Sequence, residues 1–267
     1  LFADAQAMLK KGALPDGRLL LAGNRDEFHA RATAPLAHWG DGSGIIAGRD
    51  LEAGGTWLGV DGRGRCALVT NVRDLRLGQD GLSRGLLASD YLRGDAGAQA
   101  HGRSLLPVAA GYRPFNLLLV DAHDCIWMGR QAKPRLAAVE SGVHVLSNAE
   151  LDTPWPKAAR LGGRLADWID AHRVKDSAGS VYAEEFAGLF DALADDATFD
   201  DGLLPDTGIG LERERWLSSA FIRGQDYGTR ASTVVAIGHD GRGVIIERRW
   251  GPMGVTLGQT RLPIGRL

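Results

Sequence analysis

The sequence predicts an α+β protein in which two antiparallel sheets pack face to face, with helices on their outer surfaces. Three observations lead there. Strands outnumber helices and come in adjacent pairs joined by short turns, so hairpins dominate over βαβ units. Several strands are unbroken apolar runs, LLLAG, NLLLVD, TVVAIG and VIIE, which need cover on both faces. Helical stretches fall between the strand blocks instead of alternating with single strands.

In chain order, LFADAQAM opens as if partway through an apolar strand, and LLLAG (19–23) is the next strand. It runs into Asn24-Arg25-Asp26-Glu27, which is read as the polar end of that strand. TWLGV, DGRG and RCALVTN form a hairpin whose turn is supplied by Asp61, Gly62 and Gly64. Ser83 is placed to cap a helix over RGLLASDYL. FNLLLVD, AHD and CIWMG (115–129) make a second hairpin, and GVHVLSN (142–148) a further strand. TPWPKAARLGGRLADWIDAH begins with prolines suited to a first helical turn and carries apolar Leu161, Leu165 and Trp168 on one face. VYAEEFAGLFDALADD is amphipathic by the same test, and STVVAIG, HDGRG and VIIERRW (232–250) make a third hairpin. With no repeat and no low-complexity linker, residues 1–267 are expected to form a single domain.

Composition narrows function. The chain has 44% hydrophobic and 24% charged residues and a net charge of −2. With no global basic field, nucleic acid is not an expected partner. No stretch approaches the ~20 apolar residues of a spanning helix. The 26 Arg against 5 Lys read first as codon usage in a GC-rich, bacterial genome, and second as a capacity to bind carboxylate or phosphate. Cys66 and Cys125 sit in strand-like runs and behave there as small hydrophobes, which fits a reducing, cytoplasmic setting. The seven histidines show no paired metal-ligand spacing and there is no phosphate loop, so no metal and no cofactor are expected. His29, a lone loop histidine, is given no role. Nothing sets the oligomeric state.

Polar residues recur at strand ends. RCALVTN finishes on Asn71, HVLSN finishes on Asn148, and STVVAIG follows Arg230. Each Asn alone is read first as serving its own turn. Together with the NRDE quartet they outline a place where side chains from a rigid scaffold converge. Trp57, Trp155 and Trp216 are the aromatic residues near these ends; packing in the core or at a rim is the default for each, and Trp57 and Trp155 are carried forward as ligand contacts with Asn24 and Glu27.

These residues resemble the NRDE-motif family, the transport and Golgi organisation protein family. The resemblance rests on ordered blocks: NRDE at 24–27, AGRDLEAGGTWLGV at 47–60, TNVRD at 70–74, SRGLL at 83–87, FNLLLVD at 115–121, LSNAELDTPWPK at 146–157, LPDTGIG at 204–210 and YGTRASTV at 227–234. It implies a four-layer αββα sandwich of the N-terminal nucleophile hydrolase kind, similar to bile-salt hydrolases and penicillin V acylases. Those enzymes cleave linear amide bonds with an N-terminal Cys whose free amine serves as base. The resemblance carries Arg25 and Asp26 to the pair beside the thiol, Asn71 and Asn148 to the oxyanion site, and Arg230 to a late arginine nearby. It puts the nucleophile a few residues upstream of Leu1, since neither Cys66 nor Cys125 has a free α-amine. Within the quartet, Arg25 would depress a nearby thiol pKa, Asp26 would hold the terminal ammonium or orient Arg25, and Glu27 would pair outward or cap the next turn. The alternative is a non-catalytic carrier for haem, acyl-CoA or a similar hydrophobic anion, because relatives are linked to handling of those molecules. Either way the partner is a small molecule.

Overall fold

The strand that carries the quartet, β2, runs Gly17–Phe28 and lies near the middle of a six-stranded antiparallel sheet. In the computed structural model, which describes residues 4–14, 17–78, 80–172 and 186–265, that sheet contains β1 (Asp4–Leu14), β2, β10 (Gly142–Leu146), β11 (Tyr227–Gly238), β12 (Gly243–Trp250) and β13 (Thr256–Ile264) in the order β10-β1-β2-β11-β12-β13. A second, seven-stranded sheet holds β3 (Thr33–His38), β4 (Ile45–Asp50), β5 (Leu58–Asp61), β6 (Cys66–Asn71), β7 (Phe115–Val120), β8 (Cys125–Arg130) and β9 (Pro134–Ala138) side by side in chain order.

The sheets pack through one apolar layer. Leu19, Leu21, Val235 and Ile245 of the first sheet meet Leu58, Leu68, Leu118 and Trp127 of the second. The outer face of the first sheet, with Leu20, Ala22, Val234 and Ile246, is covered by α3 (Pro156–His172) and α4 (Ala187–Leu193). The outer face of the second, with Ala67, Val69, Leu117 and Leu119, is covered by α1 (Leu87–Arg93) and α2 (Ala98–Leu105). A fifth helix, α5, spans Leu211–Trp216. The architecture is thus α+β with four layers, and it explains why LLLAG shows no alternation: both faces of β2 are buried.

Three local readings need correction. The quartet does not end its strand: β2 continues to Phe28, because Tyr227 and Gly228 of β11 pair with Phe28 and Glu27. Ser83 does not cap α1: the helix starts at Leu87 after Leu86, and the Ser83 hydroxyl accepts from the Gly85 amide instead. β3, β4, β9 and β13 are strands where none was read. The prolines before α3 do what the sequence expects, with Pro156 as its first residue and Leu161, Leu165 and Trp168 buried. Residues 181–185 of the predicted VYAEEFAGLFDALADD helix lie outside the described residues; its remainder contains α4.

Candidate functional site

Strand alternation divides the quartet between two faces. Arg25 and Glu27 continue the row of Leu19 and Leu21 and point between the sheets. Asn24 and Asp26 continue the row of Leu20 and Ala22 and point at the helical layer. The Asn24 amide donates to the carbonyls of Leu193 and Ala220, both 2.8 Å, and its oxygen accepts from the Ser232 hydroxyl at 2.7 Å. Asp26 is fully buried and accepts from the Thr229 hydroxyl at 2.6 Å. Neither reaches the cleft, so Asn24 is not a ligand contact, and Asp26 does not orient Arg25. They bind the helical layer and the 220s loop to the sheet.

Arg25 and Glu27 help to line a cleft of about 200 Å³ where the ends of β2 and β6 meet. Arg31, Asp50, Thr56, Trp57, Asn71, Arg84 and Arg113 complete its polar and aromatic wall. Arg25 is 4% exposed. It donates to the Thr33 hydroxyl at 3.2 Å, has Glu27 and Asp50 at 3.7 and 3.8 Å, and stacks on Trp57. Burial pulls its pKa down to about 10, with Arg230 and Arg31 pushing the same way and Glu27 and Asp50 opposing. Glu27 pairs inward, contrary to expectation: it lies 3.6 Å from Arg31 and accepts its own neighbour's amide, Phe28 N–H, at 2.9 Å. Burial would raise the Asp50 carboxyl, but the 2.7 Å bond from Arg31 and the amide of Ala53 bring it below the usual range. Arg31 and Asp50 are therefore the working partners of the site, and neither was singled out from sequence. Both lie in or beside quoted blocks, yet an Arg and an Asp 19 residues apart announce no pairing.

The remaining predicted residues sit at the same end of the sandwich. Asn71 lines the cleft, and its Nδ2 is buried with no hydrogen-bond partner among the described residues. Asn148 is fully buried, and its amide donates to the Asn71 carbonyl at 3.0 Å. It lines a neighbouring groove with Arg73 and Trp155, so Trp155 does not touch the Arg25 cleft; Arg73 stacks on it instead, 4.9 Å from the ring centre. Arg230 occupies a β-bulge: Thr229 faces Asp26 and Ala231 faces Arg25, which leaves Arg230 as the extra residue. The bulge turns its guanidinium to the carbonyls of Phe28 and Arg31 and to the Thr33 hydroxyl that Arg25 also uses. Arg230, Arg25 and Trp57 share a second, smaller cavity with Glu247 and Arg249. Next to the cleft, Phe28, Tyr227 and Trp216 form an aromatic shelf, with ring centres 5.2 and 5.6 Å apart. Among the described residues no group of three acids, histidines or cysteines is placed to hold a metal ion. Among those residues, too, no helix is long and apolar enough to cross a membrane.

Known proteins resemble the chain at two levels. In the solved structure of a mutant conjugated bile acid hydrolase from Clostridium perfringens, the fold matches over 98% of this chain and 92% of that one, with a TM-score of 0.50 at 10% identity. That likeness shows the N-terminal nucleophile hydrolase-like fold. An N-acylethanolamine-hydrolyzing acid amidase ortholog from Caenorhabditis elegans matches less well, at a TM-score of 0.47, 9% identity and 88% and 93% coverage. By sequence, the Transport and Golgi organization protein 2 homologs of Bos taurus and Homo sapiens are each 32% identical over 246 residues, covering 86% of both chains. The Drosophila melanogaster protein of that name is 27% identical over 251 residues, covering 86% of this chain and 85% of its own. These relatives are animal proteins and give no support to the bacterial source read from the arginine bias. The profile of Transport and Golgi organisation 2 spans residues 7–252, which takes in the cleft, the bulge and every strand of the two sheets except β13 and the first residues of β1, and the chain belongs to that family.

Proposed function

We propose that this chain forms the body of a hydrolase that cleaves a linear amide bond in a small anionic molecule, through an N-terminal cysteine lying ahead of Leu1. One observation carries the reading: Asn71 presents a buried, unpartnered amide donor in the same cleft as the Arg25 guanidinium. An unmet buried donor costs about 1–3 kcal/mol, which a ligand oxygen would recover. The register supports the place of the nucleophile, since Asp4 of β1 pairs with Asp26 and β1 therefore starts at the cleft end. In this scheme the α-amine takes the thiol proton, the thiolate attacks the carbonyl, and Asn71 donates to the developing oxyanion. The amine returns the proton to the leaving nitrogen, and water then releases the acid from the thioester. Arg25 favours the thiolate, and Arg31, Arg84 and Arg113 hold a carboxylate or phosphate on the substrate.

The test is direct. Full-length protein is incubated with a panel of N-acyl amino acids, and free acid and amine are followed by mass spectrometry. Turnover that falls at least 100-fold in N71A supports the proposal. Absence of both turnover and a trapped thioester, with ligand binding retained, overturns it.

A second reading, a carrier for a hydrophobic anion such as haem or acyl-CoA, is favoured by a different observation. Asn148 lines the neighbouring groove and spends one of its two amide hydrogens on the Asn71 carbonyl, so Asn71 is the one Asn amide that lines the Arg25 cleft, where an acylase-type oxyanion site has two. The aromatic shelf of Phe28, Tyr227 and Trp216 beside a ring of arginines suits such a ligand. A thermal-shift screen of full-length protein against those ligands reads binding by mass action. In both readings a reducing, cytoplasmic setting suits two buried cysteines that form no disulfide.

A further inference from the structure

Glu247 lies on the inward face of β12, in the row of Ile245, and is 2% exposed. Its Oε1 accepts the backbone amide of Leu36 at 2.8 Å. Leu36 belongs to β3, the edge strand of the opposite sheet, so this bond crosses the sandwich. Its Oε2 faces Gly48 of β4. A Cβ built on Gly48 would come within 3.1 Å of that oxygen and would overlap the Trp57 ring. Carboxyl and indole therefore share the space over a residue that has no side chain. The same indole carries Arg25, 4.3 Å from the ring centre to the guanidinium carbon. Glu247, Trp57, Arg25 and Arg230 line one cavity of about 120 Å³.

We infer that Glu247 is a positioning residue for the cleft: it fixes the β3 edge and the packing of Trp57 over Gly48, and through Trp57 it sets where Arg25 stands. The charged groups that face it are Arg25 from β2, Arg230 from β11 and Arg249 from its own strand. β3 offers it the Leu36 amide with Thr33 and Pro35, β4 offers a bare glycine, and the segment before β5 offers the indole. Among the described residues no second acid lines this cavity. Burial outweighs the amide bond and the arginines and pushes the acid up to about 7. Its charge therefore turns over near neutrality. When the proton leaves, a new anion competes for Arg25 with Glu27 and Asp50, whose contacts are loose at 3.7 and 3.8 Å. The positional claim stands apart from the hydrolase reading; its consequence for ligands, weaker anion binding as the pH rises through neutrality, rests on that reading.

The experiment uses full-length protein labelled with 5-fluorotryptophan and followed by ¹⁹F NMR from pH 5.5 to 8.5, with the Trp57 resonance assigned by its loss in W57F. The expected result is a Trp57 shift with a midpoint near 7 in the wild type, flat in E247Q and retained in H29Q. A Trp57 resonance that does not move, or one that still titrates in E247Q, overturns the assignment. Should E247Q fail to fold, wild-type protein labelled with ¹³C at the glutamate carboxyl decides: a glutamate must titrate near neutrality together with Trp57, and its absence also overturns the assignment. No ligand enters this measurement, so its failure falls on Glu247 alone, whereas failure of the N-acyl panel falls on the hydrolase reading.

Discussion

The guanidinium carbon of Arg25 sits 4.3 Å from the centre of the Trp57 ring. One residue thus faces the cleft and rests on an indole from the segment before β5, with a 3.2 Å bond to the Thr33 hydroxyl and two long ion pairs beside that stack. Lysine has the charge but neither the plane nor the fork. R25K is expected to weaken sulfate binding at least tenfold, measured by calorimetry, while the loss of stability stays within ~2 kcal/mol, the scale of a desolvated cation–π contact. Wild-type affinity in R25K would show that charge alone matters there.

Glu247 makes stability depend on pH with a definite sign. Its pKa rises from 4.5 unfolded to about 7 folded, so the folded state holds the proton more tightly. The resulting stability is fully present below pH 4.5 and is lost as the pH rises to 7. E247Q stays neutral and keeps an oxygen for Leu36. It should match wild type near pH 4.5 and exceed it at pH 8 by up to ~3 kcal/mol in urea unfolding. A variant less stable at pH 8 would contradict this.

Gly48 is irreplaceable for steric reasons, because any Cβ meets the Trp57 ring. G48A should cost about 1–3 kcal/mol by overpacking and shift the Trp57 resonance. Gly62, with nothing within 4 Å of its Cβ position, is the control. G62A should lie within ~0.5 kcal/mol of wild type.

The two internal thiols should be inert. Cys66 and Cys125 are buried in the sandwich, and burial pushes the Cys66 thiol well above its ordinary range. Iodoacetamide should leave both unmodified in the native protein and alkylate both in urea, read by intact mass. An N-terminal cysteine in full-length protein should take up one label quickly under native conditions. Equal labelling of all three thiols would count against an activated nucleophile.

What the sequence disclosed follows from how locally each feature is encoded. The apolar runs and short turns carry three hairpins and α3 in contiguous residues, and the helical proline start is visible in TPWPK. β13 escapes because TLGQTRLPI is an edge strand, exposed along most of its length and without an apolar signature. β3 and β9 have the same half-exposed character. In the site, Arg25 and Asn71 stand out by type and place. Asp26 and Asn24 mislead because the quartet reads as a strand end; once β2 is carried to Phe28, alternation alone sends them to the helices. Arg230 depends on a bulge no pattern announces. Glu247 was within reach, since its parity with Ile245 in VIIERRW turns it inward, but an acid between isoleucine and arginine passes for a solvent-facing residue.

The two-faced quartet has a consequence for how this protein can change. Cleft chemistry and helix docking are written in alternate letters of the same four-residue word. Inserting or deleting one residue in β2 ahead of Asn24 would hand the arginine to the helices and the aspartate to the cleft, disabling both at once. Variation along this strand can therefore proceed by replacement but not by sliding, and a catalogue of tolerated indels should fall silent from Leu19 to Phe28.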